Sequence, residues 1–462
     1  MAWRPGDPWP SGTPGGAARD EWGGYIRLWV RAAIDAGITW RMGPDPADKL
    51  DSGNVMGEAP TLPRAAGGRL WVDLTCDVVK LELDGGAQSG QGIFANADAG
   101  TLTATLYDPH GIYDPLNPDT RFMYQGRSRL VPGVPVEAFC EIVNGDDGTW
   151  VQRHLFTGTA DKWSEPWTTH PELRRATLVA SDATKQWAGW DRPEAPAVGA
   201  GDTTAQRVQR LADYYGWTGP IEAGTSSVTL QATTLAQSAW ELLNRVLDDE
   251  LGWVHFTADG TLRWVGRDVW LAAAAPVLEL GCPGTEAALL PIVTGAVPAA
   301  FDSQMRNAAN AARTGGTNQA ASNPSSITLY GQRDETRTDL AVETDIQAAD
   351  WAAFVVNTYA YPHKGLESVE LAPAVVVRSW ESWSAVLAVR PITDFVRVVF
   401  DPTGADVLSR VIGYAHTVTP DEWTMQWQLL RAELDVGTVW TMGPHAQDRL
   451  DAGNVMGLAA PV

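Results

Sequence analysis

"GTLTATLYDPHGIYDPLNPD", residues 100–119, changes character at its midpoint. In the first half Leu102, Ala104 and Leu106 fall on one side, and Thr101, Thr103 and Thr105 on the other. A period of two with one apolar face predicts a half-buried β-strand. The second half holds Pro109, Pro115, Pro118 and Gly111 among Asp108, Asp114, Asn117 and Asp119. Proline removes ladder donors, and Asp and Asn side chains bond their own backbone, so this half reads as a turn. Clustered Asp and Asn are also what calcium wants, but the ligand order of an EF-hand and its terminal Glu are missing. The turn is the preferred reading.

The β signal spreads outward from this strand, over residues 68–190. "RLWVDLTCDVVKLEL" alternates with Leu70, Val72, Leu74 and Cys76 on one face, and "VPVEAFCEIV", "HLFTGTADKW" and "RRATLVASD" continue the pattern. Short strands separated by turns predict a barrel or sandwich. Beyond residue 196 the period shifts to that of helices. Val208, Leu211, Ala212 and Tyr215 share one helical face, with Thr203 or Thr204 as cap. Leu235, Ala239, Leu242, Leu243 and Val246 share another. "WVHFTADGTLRWVG" reads as a hairpin on a type I′ Asp259-Gly260 turn. Residues 308–326, "AANAARTGGTNQAASNPSS", read as a polar loop or linker. Ala348, Trp351, Ala352, Val355 and Tyr359 line a third helix. "ESVELAP", "SAVLAVRP", "DFVRVVFDP", "LSRVIGYAHTVTP" and "WTMQWQLLRAEL" then read as strands.

The fold expected is mainly β with an α+β insert: two tube-like β-barrel domains flanking a small α+β domain. The boundaries expected are 1–24, an extended arm or disordered; 25–65, an arm carrying a repeat; 66–195, the first barrel; 196–280, the α+β domain; 281–435, the second barrel, with a helix near 346–359; and 436–462, a second arm.

The arms are defined by an internal duplication. "WRMGPDPADKLDSGNVMG" at residue 40 returns as "WTMGPHAQDRLDAGNVMG" at residue 440. Positions 31–57 and 431–457 share 16 of 27 residues without a gap, where chance gives about two. An offset of 400 is far longer than a solenoid or propeller period. Trp40, Met42, Leu50, Val55 and Met56, with Trp440, Met442, Leu450, Val455 and Met456, are the candidate interface residues.

The formal charge of −22 argues against any binding mode built on neutralising phosphates, though it is compatible with nucleic acid sliding past. Cys76, Cys140 and Cys282 lie far apart, with no CxxC pair, which argues against a zinc, redox or disulfide framework. No apolar run is long enough for a signal peptide or a membrane span, so assembly in a cytoplasm is expected. Tryptophan is unusually frequent at 22 residues, which fits interface centres and β-core filling equally. There is no Walker loop, GxGxxG, HExxH or GxSxG, and the seven histidines lack metal-ligand spacing. His255 and His416 read as packed strand residues. No catalytic, cofactor-binding or metal-binding residue is therefore assigned, and structure or assembly is favoured over catalysis.

Several phrases in order resemble one family: Asp108 to Asn117, Leu130 to Val136, Phe156 to Trp163, and Leu178 to Asp182 ahead of a short helix. They are followed by "DGTLRW", "ITLYGQRDETRTDL" and "YAHTVTPDEWTMQWQL". Over residues 68–462 the chain is similar to the hub-type minor tail proteins of long-tailed phages, above all those infecting actinobacteria. The N-terminal 60 residues, with their extra repeat, depart from the family pattern.

The resemblance implies a structural virion protein at the tail tip, without enzymatic activity or cofactor. It implies a homotrimer whose six barrels join a sixfold tube to a threefold tip. The partners implied are the distal tail or tail tube protein, the tape measure protein and central tip or fibre proteins, with DNA passing through the lumen without specific binding. The two arms per chain would meet six equivalent patches on a sixfold partner or the equivalent faces of adjacent barrels in the ring, against the rival of simple duplication in which the N-terminal copy folds back as an edge strand within one protomer. The acidic charge would line the lumen. The alternatives are a receptor- or glycan-binding tip protein, or a tail-associated hydrolase, for which no separable catalytic block of ordinary domain size is visible.

Overall fold

Leu102, Ala104 and Leu106 are fully buried and the threonines between them are not, so the strand at the centre of the reading is a strand with one buried face. The computed structural model describes residues 26–34, 71–86, 98–120, 122–124, 126–143, 148–191, 195–226, 228–267, 275–282, 290, 293–301, 304–372, 380–400, 405–420 and 422–431. The chain is mainly β and divides into two compact units. One holds the described residues up to Leu83, with Thr101–Asp182 and Thr417–Glu422; the other holds Asp84–Gly100, Ala183–His416 and the described residues from Trp423.

The first unit contains β1 (Ile26–Ala32), β2 (Val72–Asp73), the greater part of β3 (Val78–Gly86) and of β4 (Asp98–Tyr107), the small hairpin of β5 (Met123–Tyr124) and β6 (Arg127–Ser128), β7 (Pro135–Val143), β8 (Trp150–Ser164) and β9 (Arg175–Ser181). Its sheet order is β3-β4-β9-β8-β7-β1-β2. No pairing among the described residues closes this sheet into a ring. Val30, Leu81, Val136, Ala138, Leu178 and Ala180 are fully buried too, and Ala180 and Leu178 pair with Leu102 and Ala104 of β4 in the core of this unit. Each fully buried Val or Leu in it contributes about 1.5–3 kcal/mol. Gly158, in the middle of the Phe-Thr-Gly phrase, lies on β8 where a Cβ would collide with the Ser181 carbonyl oxygen. The glycine lets β8 and β9 approach there.

The alternating run from Leu70 is not one strand. Thr75 opens a 3₁₀ turn between β2 and β3, its amide donating to Asp73 Oδ1 (2.9 Å) and its hydroxyl accepting from the Val30 amide (2.9 Å). Local side-chain bonding overrides the period of two at that point.

In the second unit, α1 (Ala183–Ala188), β10 (Ala195–Val198), β11 (Asp202–Thr203), α2 (Thr204–Tyr215), β12 (Ile221–Ala223), β13 (Thr229–Leu230), β14 (Thr233–Leu235), α3 (Ala239–Glu250), β15 (Trp253–Phe256) and β16 (Leu262–Val265) form the α+β insert. Thr203 and Ser238 cap α2 and α3 through capping boxes with Gln206 and Glu241. Leu235 lies on β14 rather than on α3, and it reaches the same core. The β15–β16 loop is not a type I′ turn. Gly260 alone takes a positive φ (+83°), Asp259 does not, and the Thr257 amide closes on the Thr261 oxygen (2.9 Å). The loop is thus a longer one with glycine in the left-handed position.

The rest of the unit runs β17 (Leu278–Gly281), β18 (Val293–Phe301), β19 (Ala308–Arg313), β20 (Gln319–Ser322), α4 (Pro324–Tyr330), β21 (Asp334–Leu340), α5 (Asp345–Tyr359), β22 (His363–Leu371), α6 (Trp380–Ala388), β23 (Phe395–Phe400), β24 (Ala405–Val418) and β25 (Trp423–Arg431). Its larger sheet has the order β18-β22-β25-β24-β23-β17. Two expectations fail here. The "AANAAR" stretch is no linker but the central strand β19 between β20 and β21. Ala309 and Ala311 are buried with Ala348 and Ala352 of α5 in one cluster, and small residues serve where backbones come close. "SAVLAVRP" is no strand: its first half completes α6, which buries Trp383 and Val386 at helical spacing.

Candidate functional site

The Asp108–Asp119 turn follows β4 and meets the β8–β9 connection. Asp108 is buried, and its two carboxylate oxygens accept from the amides of Ile112 and Tyr113, each at 2.6 Å. Asp114 accepts from the Leu116 amide (2.9 Å) and from the Trp167 indole nitrogen (2.9 Å), with the Arg174 guanidinium 3.7 Å away. Asn117 donates to the Gly111 oxygen (2.8 Å) and accepts from the Asp119 amide (3.0 Å). Tyr113 packs between Phe122 and Trp163 and donates its hydroxyl to Asp77 (2.5 Å). The Asp108, Asp114 and Asn117 oxygens accept from backbone amides and the Trp167 indole, while the Asp119 side chain is exposed, and no cluster of three or more His, Cys, Asp or Glu among the described residues is arranged to hold a metal. The loop is a self-satisfied turn that orients what stands on it.

Three contributors were not visible in the sequence: Glu165, Trp167 and Arg174, all from the β8–β9 connection. Arg174 Nε donates to Glu165 Oε1, while Glu165 Oε2 is buried without a partner. Burial and the facing Asp108 carboxyl push Glu165 up to about 7, and Arg174 pulls the other way. The signal was there in "SEPW" and "LRR", but nothing in their spacing says they return to a turn more than 50 residues earlier.

The second unit holds a polar node of its own. Arg207, 2% exposed, donates to Asp202 (3.1 Å), Thr233 Oγ1 (2.7 Å) and the carbonyls of Gly199 and Gln231 (2.7 and 2.9 Å). Arg210 doubles the contact to Asp202 and is the largest influence lowering that carboxyl's pKa. These bonds tie the loops around β11, β13 and β14 to α2. Beside the node lies a cavity of about 10 Å³, bordered by Arg207, Thr233, Arg245 and Asp249. Such a space admits about one water. Asp249 gives one oxygen to the Ala341 amide (2.8 Å) and buries the other unpaired, and burial pushes it up to about 7.

His255 and His416 are buried, and burial lowers them to about 3 and about 4. Both are neutral at physiological pH. His416 accepts from the Trp423 indole (3.3 Å), and His255 makes no hydrogen bond in the β15 core. The candidate interface residues Trp40, Met42, Leu50, Val55, Met56, Trp440, Met442, Leu450, Val455 and Met456 lie outside the described residues.

The points where the repeats begin are described. Arg31 and Ala32 end β1, and Arg431 ends β25, so each unit has a strand whose last Arg opens one copy. Arg31 is fixed there by Glu137 (2.6 Å) and by the rings of Trp71 and Phe139, 4.6 and 4.8 Å from its guanidinium. After the first copy the chain reaches β2, which pairs back on β1 through Arg31 with Asp73 and Ala32 with Val72.

No helix among the described residues is long and apolar enough to cross a membrane. No family model and no curated protein matches the chain. Solved structures do. A tail protein from Neisseria meningitidis MC58 superposes with a TM-score of 0.52 at 12% identity, covering 88% of this chain and 96% of that one. The prophage MuSo2 43 kDa tail protein from Shewanella oneidensis gives 0.47 at 13% identity, covering 80% and 97%. At such identities the Neisseria likeness is one of architecture, and the chain shares the fold of that tail protein over most of its length.

Proposed function

We propose that this chain is a structural virion protein: the trimeric hub at the distal end of a phage tail tube. Three chains supply six β units, which adapt the sixfold tube to a threefold tip. The observation that carries this reading is the pairing of two β units with two copies of one segment, each opened by the last Arg of a strand. Closed symmetry rewards repeated patches, and three chains present six such segments to a sixfold partner. The shared fold with a tail protein over 88% of the chain supports the same reading. Its partners are the distal tail or tube protein above, the tape measure protein, and central tip or fibre proteins below. The formal charge of −22 suits a wall that lets DNA slide past. The hub binds and positions its neighbours and performs no chemistry.

Gold-labelled antibody on purified virions tests the location. Label at the tail end opposite the head is expected. Label on the head or along the tube, or a protein absent from virions, overturns it.

A further inference from the structure

The Asp108 turn meets the β8–β9 connection around the side chain of Glu165, which has no exposed surface. Glu165 Oε1 accepts from Arg174 Nε, while Oε2 is buried and accepts from no donor. The group facing it is the Asp108 carboxyl, whose two oxygens already take the Ile112 and Tyr113 amides. Arg174 is engaged elsewhere: its Nη2 stands 3.7 Å from Asp114, and a Cβ on Gly111 would come within 2.8 Å of its Nη1. Asp108 and Arg174 are the charged groups acting on Glu165. Asp114 lies beyond Arg174, and Asp77 lies beyond Tyr113, whose hydroxyl donates to it (2.5 Å). Further out, His110 is exposed, His170 and Glu172 lie 3.3 Å apart, and Arg175 sits over the Tyr107 ring at 4.5 Å. A buried acceptor without a donor is costly, and two neighbouring carboxylates resist joint ionisation. A proton between the two carboxyls removes both difficulties.

We propose that Asp108 and Glu165 share one proton and form a pH-controlled latch that holds the β8–β9 connection on the turn. With the proton present, Glu165 Oε2 carries it and donates to Asp108, while Oε1 keeps its bond from Arg174. When the proton passes to solvent, two carboxylates face each other and the connection is released. The Asp108 amide still donates to the Arg174 carbonyl (3.3 Å), and the β4–β9 ladder still ends at Tyr107 with Arg175. Residues 166–173 therefore open while the strands stay paired. Burial first, and the facing Asp108 second, raise Glu165 from 4.5 to about 7, as a retained proton requires. Because the closed value lies above the ordinary one, the latch is strongest at low pH. It weakens by up to about tenfold per pH unit as pH rises between the two values, and levels off above them. The latch stands apart from the hub reading and does not depend on it.

The test is amide hydrogen exchange of the full chain, wild type against Glu165→Gln, across the pH range from about 5 to 8 that brackets the raised value. Glutamine imitates the protonated acid at every pH: its amide NH₂ donates to Asp108 and its oxygen accepts from Arg174. The ratio of wild-type to variant rates cancels the intrinsic pH dependence of exchange. For the amides between residues 166 and 173 that ratio is expected to rise by up to about tenfold per pH unit and to level off above about 7. These amides are expected to exchange faster than those of β4 throughout, which marks the opening as local. If the variant does not fold, wild-type rates divided by those of an unstructured peptide carry the same readout. A flat ratio overturns the latch, and so does exchange of the connection at the rate of β4. Calcium that slows exchange at the high end of the range in the wild type, but not in the variant, would make the pair a cation site and overturn the shared proton.

Discussion

Asp108 satisfies two backbone amides at once in a buried turn. Asp108→Ala leaves both without an acceptor, at about 1–3 kcal/mol each before relaxation. A loss of about 2–4 kcal/mol in chemical denaturation is the expected result. Glu165 predicts a pH dependence. Its value of about 7 lies above its ordinary 4.5, so the folded state holds the extra proton between these values. Its contribution is present at low pH and fades as pH rises through that window. Asp249 acts in the same direction, its carboxyl raised from 3.8 to about 7. His255 and His416 act oppositely, since their folded values lie below 6.5 and stability falls as pH drops. Glu165→Gln should therefore gain stability relative to the wild type as pH goes from 5 to 8. Parallel melting curves across that range would contradict it. The turn was legible in the sequence because its bonds are local. Glu165, Trp167 and Arg174 were not, because only the pairing of β8 with β9 brings their connection to the turn.

Caps and amphipathic faces carried the helices. Thr203, Ser238 and Thr344 each cap a helix with a Gln or Glu three residues on. Thr344→Ala should cost about 1 kcal/mol of stability. Strand β19 was opaque because alanines give no apolar contrast, and its identity comes from what packs on it. Ala311 is fully buried in the cluster that includes Ala348 and Ala352 of α5. Ala311→Leu should overfill that space and cost about 1–3 kcal/mol, read as a lowered melting temperature. A true linker would accept the change without loss. In α6 the apolar run was long enough for either element, and the spacing from Trp383 to Val386 decides for helix.

At the scale of the molecule, the mainly β architecture with its α+β insert followed from the ordered phrases between Gly100 and Leu430. Phe-Thr-Gly marks a close strand approach at Gly158, and the Asp-Pro turn locks itself through Asp108 and Asp114. The duplication was legible as text, and the structure adds that its copies open at strand ends: Arg31 is next to last in β1 and Arg431 is last in β25. Nothing in the sequence reports the number of subunits, since no heptad or other oligomer pattern exists, and the assembly is the central claim. Light scattering of the purified chain across concentrations, alone and with its tail-tube or distal-tail neighbour, tests it most directly. The account predicts a species of about 150 kDa, three times the 49.8 kDa of one chain. A mass that stays at 49.8 kDa at every concentration, neighbour present or not, would contradict it.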